Sequence, residues 1–178
     1  MQGHHWADDL HFDTSSDAAP VEMDAGFTAA RKLIVEDVVK GVLMGKCEVK
    51  LREIMLFGFG QGGMAALTAA MAFDGELGGV VSLGGFVSAD SSLSDSLRKA
   101  GKKCKTPVLL CAGQRGSAVS EAGVRRMKEC FESVEVVRWK RAGDGMARNR
   151  EEMLPIMRFF ARRLRSRAGV PEEAVEVE

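Results

Sequence analysis

The sequence predicts an α/β fold, a three-layer sandwich in which helices cover a mostly parallel sheet. Two observations carry this reading. Four apolar runs of strand length, residues 53–59, 79–83, 107–112 and 135–139, recur along the chain, with helical patterns between and beyond them. A glycine-rich turn, Gly60-Gln-Gly-Gly63, then leads directly from the first run into an alanine-rich segment, the strand–turn–helix order of a parallel sheet.

In chain order, residues 1–23 are polar and turn-rich, ending in Asp17-Ala-Ala-Pro20. Asp24 is placed to cap a helix running to about residue 44, with Phe27, Ala30, Ile34 and Val38 at helical spacing. Glu53 to Phe59 has the length and apolarity of a strand buried on both faces. The helix after Gly60 continues to about Phe73, and strands follow at Gly79–Leu83 and Pro107–Ala112. Ser120 opens a helix over 119–132, with Glu121 in its first turn to suit the helix dipole. A fourth strand, Glu135–Trp139, precedes a loop and a last helix from about Glu152 to Ser166. That helix aligns Met153, Met157, Phe160 and Leu164, and tolerates Pro155 only near its first turn. The domain is expected over 24–167, between a polar segment (1–23) and an acidic tail (168–178).

A chain of 178 residues with 46% apolar and 28% charged content can bury one core, which excludes disorder and small disulfide scaffolds. Net charge is zero but segregated. Residues 1–37 hold eight acids and two bases, whereas residues 98–167 hold nineteen bases and seven acids. Solvated faces account for most of this, and an acidic partner on the basic side is the sharper alternative. Cys47, Cys104, Cys111 and Cys130 form no C-x-x-C pair, and no signal-peptide core or membrane-length apolar run occurs. Reduced thiols in the cytoplasm, or the nucleus, are therefore expected, with Cys111 packed in an apolar run.

The stretch Leu56-Phe-Gly-Phe-Gly-Gln-Gly-Gly63 has the form of a nucleophile elbow, G-x-S-x-G, with glycine where the serine belongs. Gly58-Phe-Gly-Gln-Gly-Gly63 resembles the G-F-S-Q-G-G signature of acyl-protein thioesterases and carboxylesterases, the phospholipase/carboxylesterase branch of the α/β-hydrolases. Trp6-Ala-Asp8 is similar to the W-F-D before that family's long helix. Leu77-Gly-Gly-Val-Val-Ser-Leu-Gly-Gly-Phe86, Thr106-Pro-Val-Leu-Leu-Cys-Ala-Gly113 and Glu151-Glu-Met153 extend the resemblance over about residues 6–164. The resemblance implies a partial α/β-hydrolase fold lacking the early strands.

It also implies where a catalytic triad would lie. The family's serine falls on Gly60, its acid on Gly116 within Ala112-Gly-Gln-Arg-Gly-Ser-Ala-Val119, and its histidine on Met146 within Gly143-Asp-Gly-Met146. None of these residues does the proton chemistry of a triad. Loss of the nucleophile or base alone costs about 10⁶-fold in turnover in subtilisin. The Gln61 backbone N–H, next after the elbow, is the surviving oxyanion-type donor the resemblance implies. The H-G-x-G-type loop that supplies a second donor is absent upstream of residue 58. The expected reading is a catalytically inactive relative serving as a binding or interaction module, or a degenerate fragment.

Without early strands, the 53–59 strand is an apolar sheet edge, which is a pairing liability. Residues 1–50, a partner chain or a second copy covers it, or the chain is a truncated product with the edge bare. Other readings are narrower. A relocated nucleophile would draw on Ser82, Ser88, Ser117 or Ser120, yet His4, His5 and His11 are the only imidazoles. Asp144 beside the lost histidine reads as a loop residue. Gly58-x-Gly60-x-x-Gly63 also fits a dinucleotide fingerprint, but the next strand ends Leu83-Gly-Gly-Phe86, with Asp90 the nearest acid. The histidines, with Asp8, Asp9 and Asp13, lack zinc spacing, so no metal or cofactor is implied. The clusters Arg98-Lys-Ala-Gly-Lys-Lys-Cys-Lys105 and Arg162-Arg-Leu-Arg-Ser-Arg167 lack interleaved aromatics, so nucleic acid is not an expected partner.

Overall fold

A computed structural model describes residues 6–7, 26–88 and 91–164. Asp8, Asp24, Asp90, the three histidines and the acidic tail lie outside the described residues. Among the described residues, four strands form one sheet: β1 (Met55–Phe59), β2 (Gly79–Leu83), β3 (Val108–Arg115) and β4 (Val134–Ala142). They lie in chain order and every pairing is parallel. Parallel neighbours require crossovers. These contain α2 (Gln61–Met71), α3 (Ser92–Lys99) and α4 (Glu121–Cys130), while α5 (Arg150–Arg163) follows β4.

Side-chain alternation along the strands divides the core in two. Val80, Val108 and Leu110 face α2, α4 and the first helix, packing with Leu67, Met127, Phe131 and Val39. Val81, Leu83, Leu109 and Cys111 point the other way, onto Ile156 and Phe159 of α5. The result is the three-layer sandwich. Phe159 is 1% exposed, and a Cβ on Gly79 would stand only 2.8 Å from its ring. Burying such a ring contributes roughly 1.5–3 kcal/mol.

The start signals are legible where side chains cap backbone. Ser120 Oγ accepts the Gly123 N–H (3.1 Å) and Asn149 Oδ1 accepts the Glu152 N–H (2.9 Å). The Ser91 hydroxyl likewise caps α3, a helix absent from the sequence expectations above; Leu93 and Leu97 are its apolar pair, set among serines. Strands β3 and β4 outrun their apolar runs because Gly113 still pairs with Trp139, and Arg115 with Ala142.

Four expectations change. The first helix opens as α1 (Thr28–Lys32) and widens into π-type turns over Leu33–Met44. Past its end, Gly45 and Cys47 donate to Lys40 and Val42, five residues back. The wider turn advances the buried stripe to Val35 and Val39, leaving Val38 exposed. In α5, Ile156 and Phe159 take the sheet, so Met153, Met157 and Leu164 of the predicted stripe point outward. Pro155 sits in its second turn, where the exposed Glu151 carbonyl loses its donor to solvent. Finally, β1 is not buried on both faces. Phe57 and Phe59 are 44% and 49% exposed, because α5 covers β1 mainly at Met55 and through the stacked Phe57–Phe160 pair.

The thiols of Cys104, Cys111 and Cys130 are buried and free, whereas Cys47 is free and exposed. Burial pushes the Cys111 thiol up to about 12 from an ordinary 9.0. The folded chain thus favours the neutral thiol, while the unfolded chain ionises from about pH 9. This stabilisation is complete below that pH and is lost progressively as pH rises toward 12. Urea unfolding on the alkaline side should show the decline, and Cys111→Ala should flatten it. A thiol reagent should modify Cys47 in the native chain and the other three only after unfolding.

Candidate active-site rim

A parallel sheet places the C-terminal ends of all its strands on one rim, where α/β folds assemble reactive groups. Gly60 follows β1 directly, Gly116 follows β3, and Met146 lies in the loop after β4. The three positions to which the resemblance assigns a triad therefore share this rim.

At β1 the backbone makes a sharp turn into α2. Gly60 holds φ 52°, ψ −120°, and its carbonyl accepts from Met64 N–H at 3.1 Å. The neighbouring glycines are there because strand and helix nearly touch. A Cβ on Gly58 would overlap the Gly62 carbonyl and lie 2.5 Å from Gly63 N, and one on Gly63 would strike the Ser82 hydroxyl. A Cβ on Gly60 would meet nothing within 4 Å. The elbow is thus built to full closeness around a position that has room for a side chain and carries none.

The first N–H groups of α2 have no intrahelical acceptors, and that of Gln61 is the first of them. The Gln61 side chain is occupied elsewhere: its Oε1 accepts the Trp6 backbone N–H at 2.7 Å. The Trp6 indole lies against Gly62, where an added Cβ would sit 3.5 Å from Nε1, and the next residue, Ala7, is buried with Phe27, Met64 and Ala65. Sequence reasoning used Trp6 as a landmark and missed that it closes over the elbow. No local signal carries a contact spanning 55 residues.

Across the rim the loops are joined by Asp144. Its Oδ1 accepts from Gly113 N–H (2.9 Å), and its Oδ2 from Ser117 Oγ (3.1 Å) and Ala118 N–H (2.8 Å). Its Cβ also abuts Gly84, whose φ of +70° keeps side chains out. Gly116 (φ +58°) turns the chain within this clamp, and Gly143 N–H bonds the Arg115 carbonyl at 2.7 Å. Met146 is half exposed. Its carbonyl, with that of Gly145, accepts from Arg141, whose guanidinium lies 4.6 Å over the Trp139 ring.

The substitute serines fare differently. Ser82 is fully buried and donates to the Gly85 carbonyl at 2.8 Å. Ser117 donates to Asp144 and accepts from Val119 N–H, and Ser120 caps α4. Ser88 is half-buried beside Phe27, Met64 and Phe86 in a cavity of about 110 Å³. Among the described residues, no group of three or more His, Cys, Asp or Glu is arranged to hold a metal. The basic clusters are partly spent on intramolecular pairs, Arg98 with Asp95, Arg162 with Glu135 and Arg163 with Glu76.

The family model for the phospholipase/carboxylesterase group matches residues 1–162. The chain belongs to the phospholipase/carboxylesterase family. An uncharacterized hydrolase of Schizosaccharomyces pombe is 27% identical over 139 residues, which cover 76% of this chain and 52% of that protein. Among solved structures, Arabidopsis thaliana SOBER1 aligns with a TM-score of 0.57 at 21% identity, covering 78% of this chain and 62% of that one. Esterase PE8 aligns with a TM-score of 0.53 at 20% identity, covering 82% and 69%. This phospholipase/carboxylesterase relative therefore spans about half the length of the curated protein it matches. The structural matches share its α/β-hydrolase fold.

Proposed function

We propose that this chain is a phospholipase/carboxylesterase family member without hydrolytic turnover, acting as a binding or interaction module. The observation that carries the reading is Gly60. The strand turns sharply into α2 there, with φ 52° and close-packed glycines around it, yet the residue at the turn bears no nucleophile. Gly116 and Met146 at the acid and base positions support the same reading, since neither exchanges a proton. The Gln61 N–H is left as an anion-tolerant donor on a helix N-terminus that no longer stabilises an oxyanion.

The alternative, an active ester or thioester hydrolase with a relocated serine, gains nothing from Ser82, Ser117 or Ser120, whose hydroxyls hold the fold. The compartment we propose is reducing, cytoplasm or nucleus, because the four thiols are free. No helix among the described residues is long and apolar enough to cross a membrane.

A fluorophosphonate serine-hydrolase probe is expected to leave the chain unlabelled, and p-nitrophenyl ester turnover to equal that of a heat-killed control. Specific labelling that maps to a serine and vanishes on its replacement by alanine would overturn the proposal. A thermal shift with NAD(P), or salt-sensitive retention on heparin, would point instead to a nucleotide or acidic-partner module.

A further inference from the structure

A cavity of about 110 Å³ lies between α1, α2 and the loop after β2, and Gly60, Gly116 and Met146 take no part in its lining. Its apolar walls are Phe27 and Met64, both buried, with Phe86 and Leu93 half-buried beside them. Phe27 and Met64 belong to the small core that ties α1 to α2. Short hydroxyl side chains at Thr68, Ser88 and Ser91 stand where larger ones would fill the space. Two of these are partly committed to the backbone. Thr68 Oγ1 donates to the Met64 carbonyl at 2.9 Å, and Ser91 Oγ accepts the Ser94 N–H at 3.3 Å, which leaves the Ser91 hydroxyl its own proton to donate.

The polar groups still unspent are donors. Among the described residues, none accepts from the Arg31 guanidinium or from the Ser88 hydroxyl, although both side chains line the cavity and are half-buried. No lining residue is Asp or Glu. One wall is therefore cationic and the others are apolar, around a volume of about four water molecules. The geometry points to a site for a short-chain monocarboxylate, a carboxylate on roughly two or three carbons, held by Arg31 with Ser88 and Ser91 donating to the same group. Other ligand classes fit worse. A cation meets no acid here, and a nucleotide needs several times the volume. A phosphate dianion calls for more than one cation and leaves Phe27, Met64, Phe86 and Leu93 uncovered. A carboxylate matches the planar guanidinium fork, supplies the counter-charge that a half-buried cation lacks, and lays its chain on Phe27 and Met64.

Titration of the intact chain with sodium butyrate at constant ionic strength, followed by amide NMR, tests the proposal. Saturable shifts are expected at Arg31, Met64, Ser88 and Ser91, with a dissociation constant of about 1 mM. Butyramide, which has the same size without the charge, and inorganic phosphate should each bind at least about tenfold more weakly. Arg31→Gln should weaken butyrate binding at least about tenfold with far-UV circular dichroism retained, and Ser88→Ala about threefold. Ser88→Val, which fills the cavity and leaves Arg31 in place, should abolish saturation. An absence of saturable shifts, butyramide or phosphate binding as tightly as butyrate, or affinity indifferent to Arg31→Gln would each overturn it. If the variants unfold, the comparison of butyrate with butyramide on the unaltered chain still decides. The result is independent of the fluorophosphonate test, because Gly60, Gly116 and Met146 lie outside the lining.

Discussion

Gly58→Ala is expected to abolish cooperative folding, whereas Gly60→Ala, two residues away, leaves a folded chain. At Gly58 the new methyl would occupy the space of the Gly62 carbonyl and of Gly63 N, both backbone atoms of α2. No rotamer change relieves such an overlap, so α2 must lift from β1. That helix buries Met64, Leu67, Ala70 and Met71 among other residues, and separating it from the sheet costs more than about 5 kcal/mol, the scale of a whole domain's stability. At Gly60 the methyl meets nothing within 4 Å, and the loss is the left-handed backbone penalty at φ +52°, about 1–2 kcal/mol. Urea titration of both variants separates the cases. An unfolding midpoint for Gly58→Ala equal to that of the native chain would refute the close-packed elbow. Gly60→Ser should behave like Gly60→Ala in stability and still resist the fluorophosphonate probe, since a serine alone gains no base from Met146.

The contrast also marks what the sequence could convey. Glycines at 58, 60, 62 and 63 read as an elbow because only a strand meeting a helix at contact distance asks for that spacing. The sequence alone does not separate the glycine required by packing from the one with room for a side chain; the space around each Cβ does. Strand positions were legible for a similar reason, as β2 and the inner half of β3 are buried at every residue and apolar at all but Ser82. Features set by distant partners were not. The π-type widening buries Val35 and Val39 and leaves Val38 exposed, with Ile34 still partly buried against the core, and a four-residue period carries no sign of it. Helix α5 has two apolar stripes, and which one meets the sheet depends on the approach of Gly79 to Phe159. Strand β1 has the composition of a central strand but is an edge among the described residues, so its apolarity and its exposure coincide.

Asp144→Ala is the substitution expected to loosen the rim itself. The carboxylate accepts three hydrogen bonds from two sites, Gly113 near the end of β3 and Ser117 with Ala118 on the β3–α4 connection. Bonds to a charged acceptor contribute roughly 1.5–3 kcal/mol each, and three on one group overlap, so a loss of about 3–5 kcal/mol is expected. Asp144→Asn should cost less, about 2 kcal/mol, because one oxygen still accepts while the new amide turns a donor toward a backbone N–H. Ser117→Ala removes only the weakest member and should cost about 1 kcal/mol. A double-mutant cycle between Asp144→Ala and Ser117→Ala then isolates the hydroxyl bond. Amide exchange should accelerate at Gly113 and Ala118 while Val80 and Val108 in the sheet remain protected. A change below about 0.5 kcal/mol for Asp144→Ala would show the clamp to be incidental. Gly116 and Met146, the positions to which the resemblance assigns an acid and a base, belong to the two loops this carboxylate ties together, so that part of the rim is held by one aspartate whose oxygens are already spent on the fold.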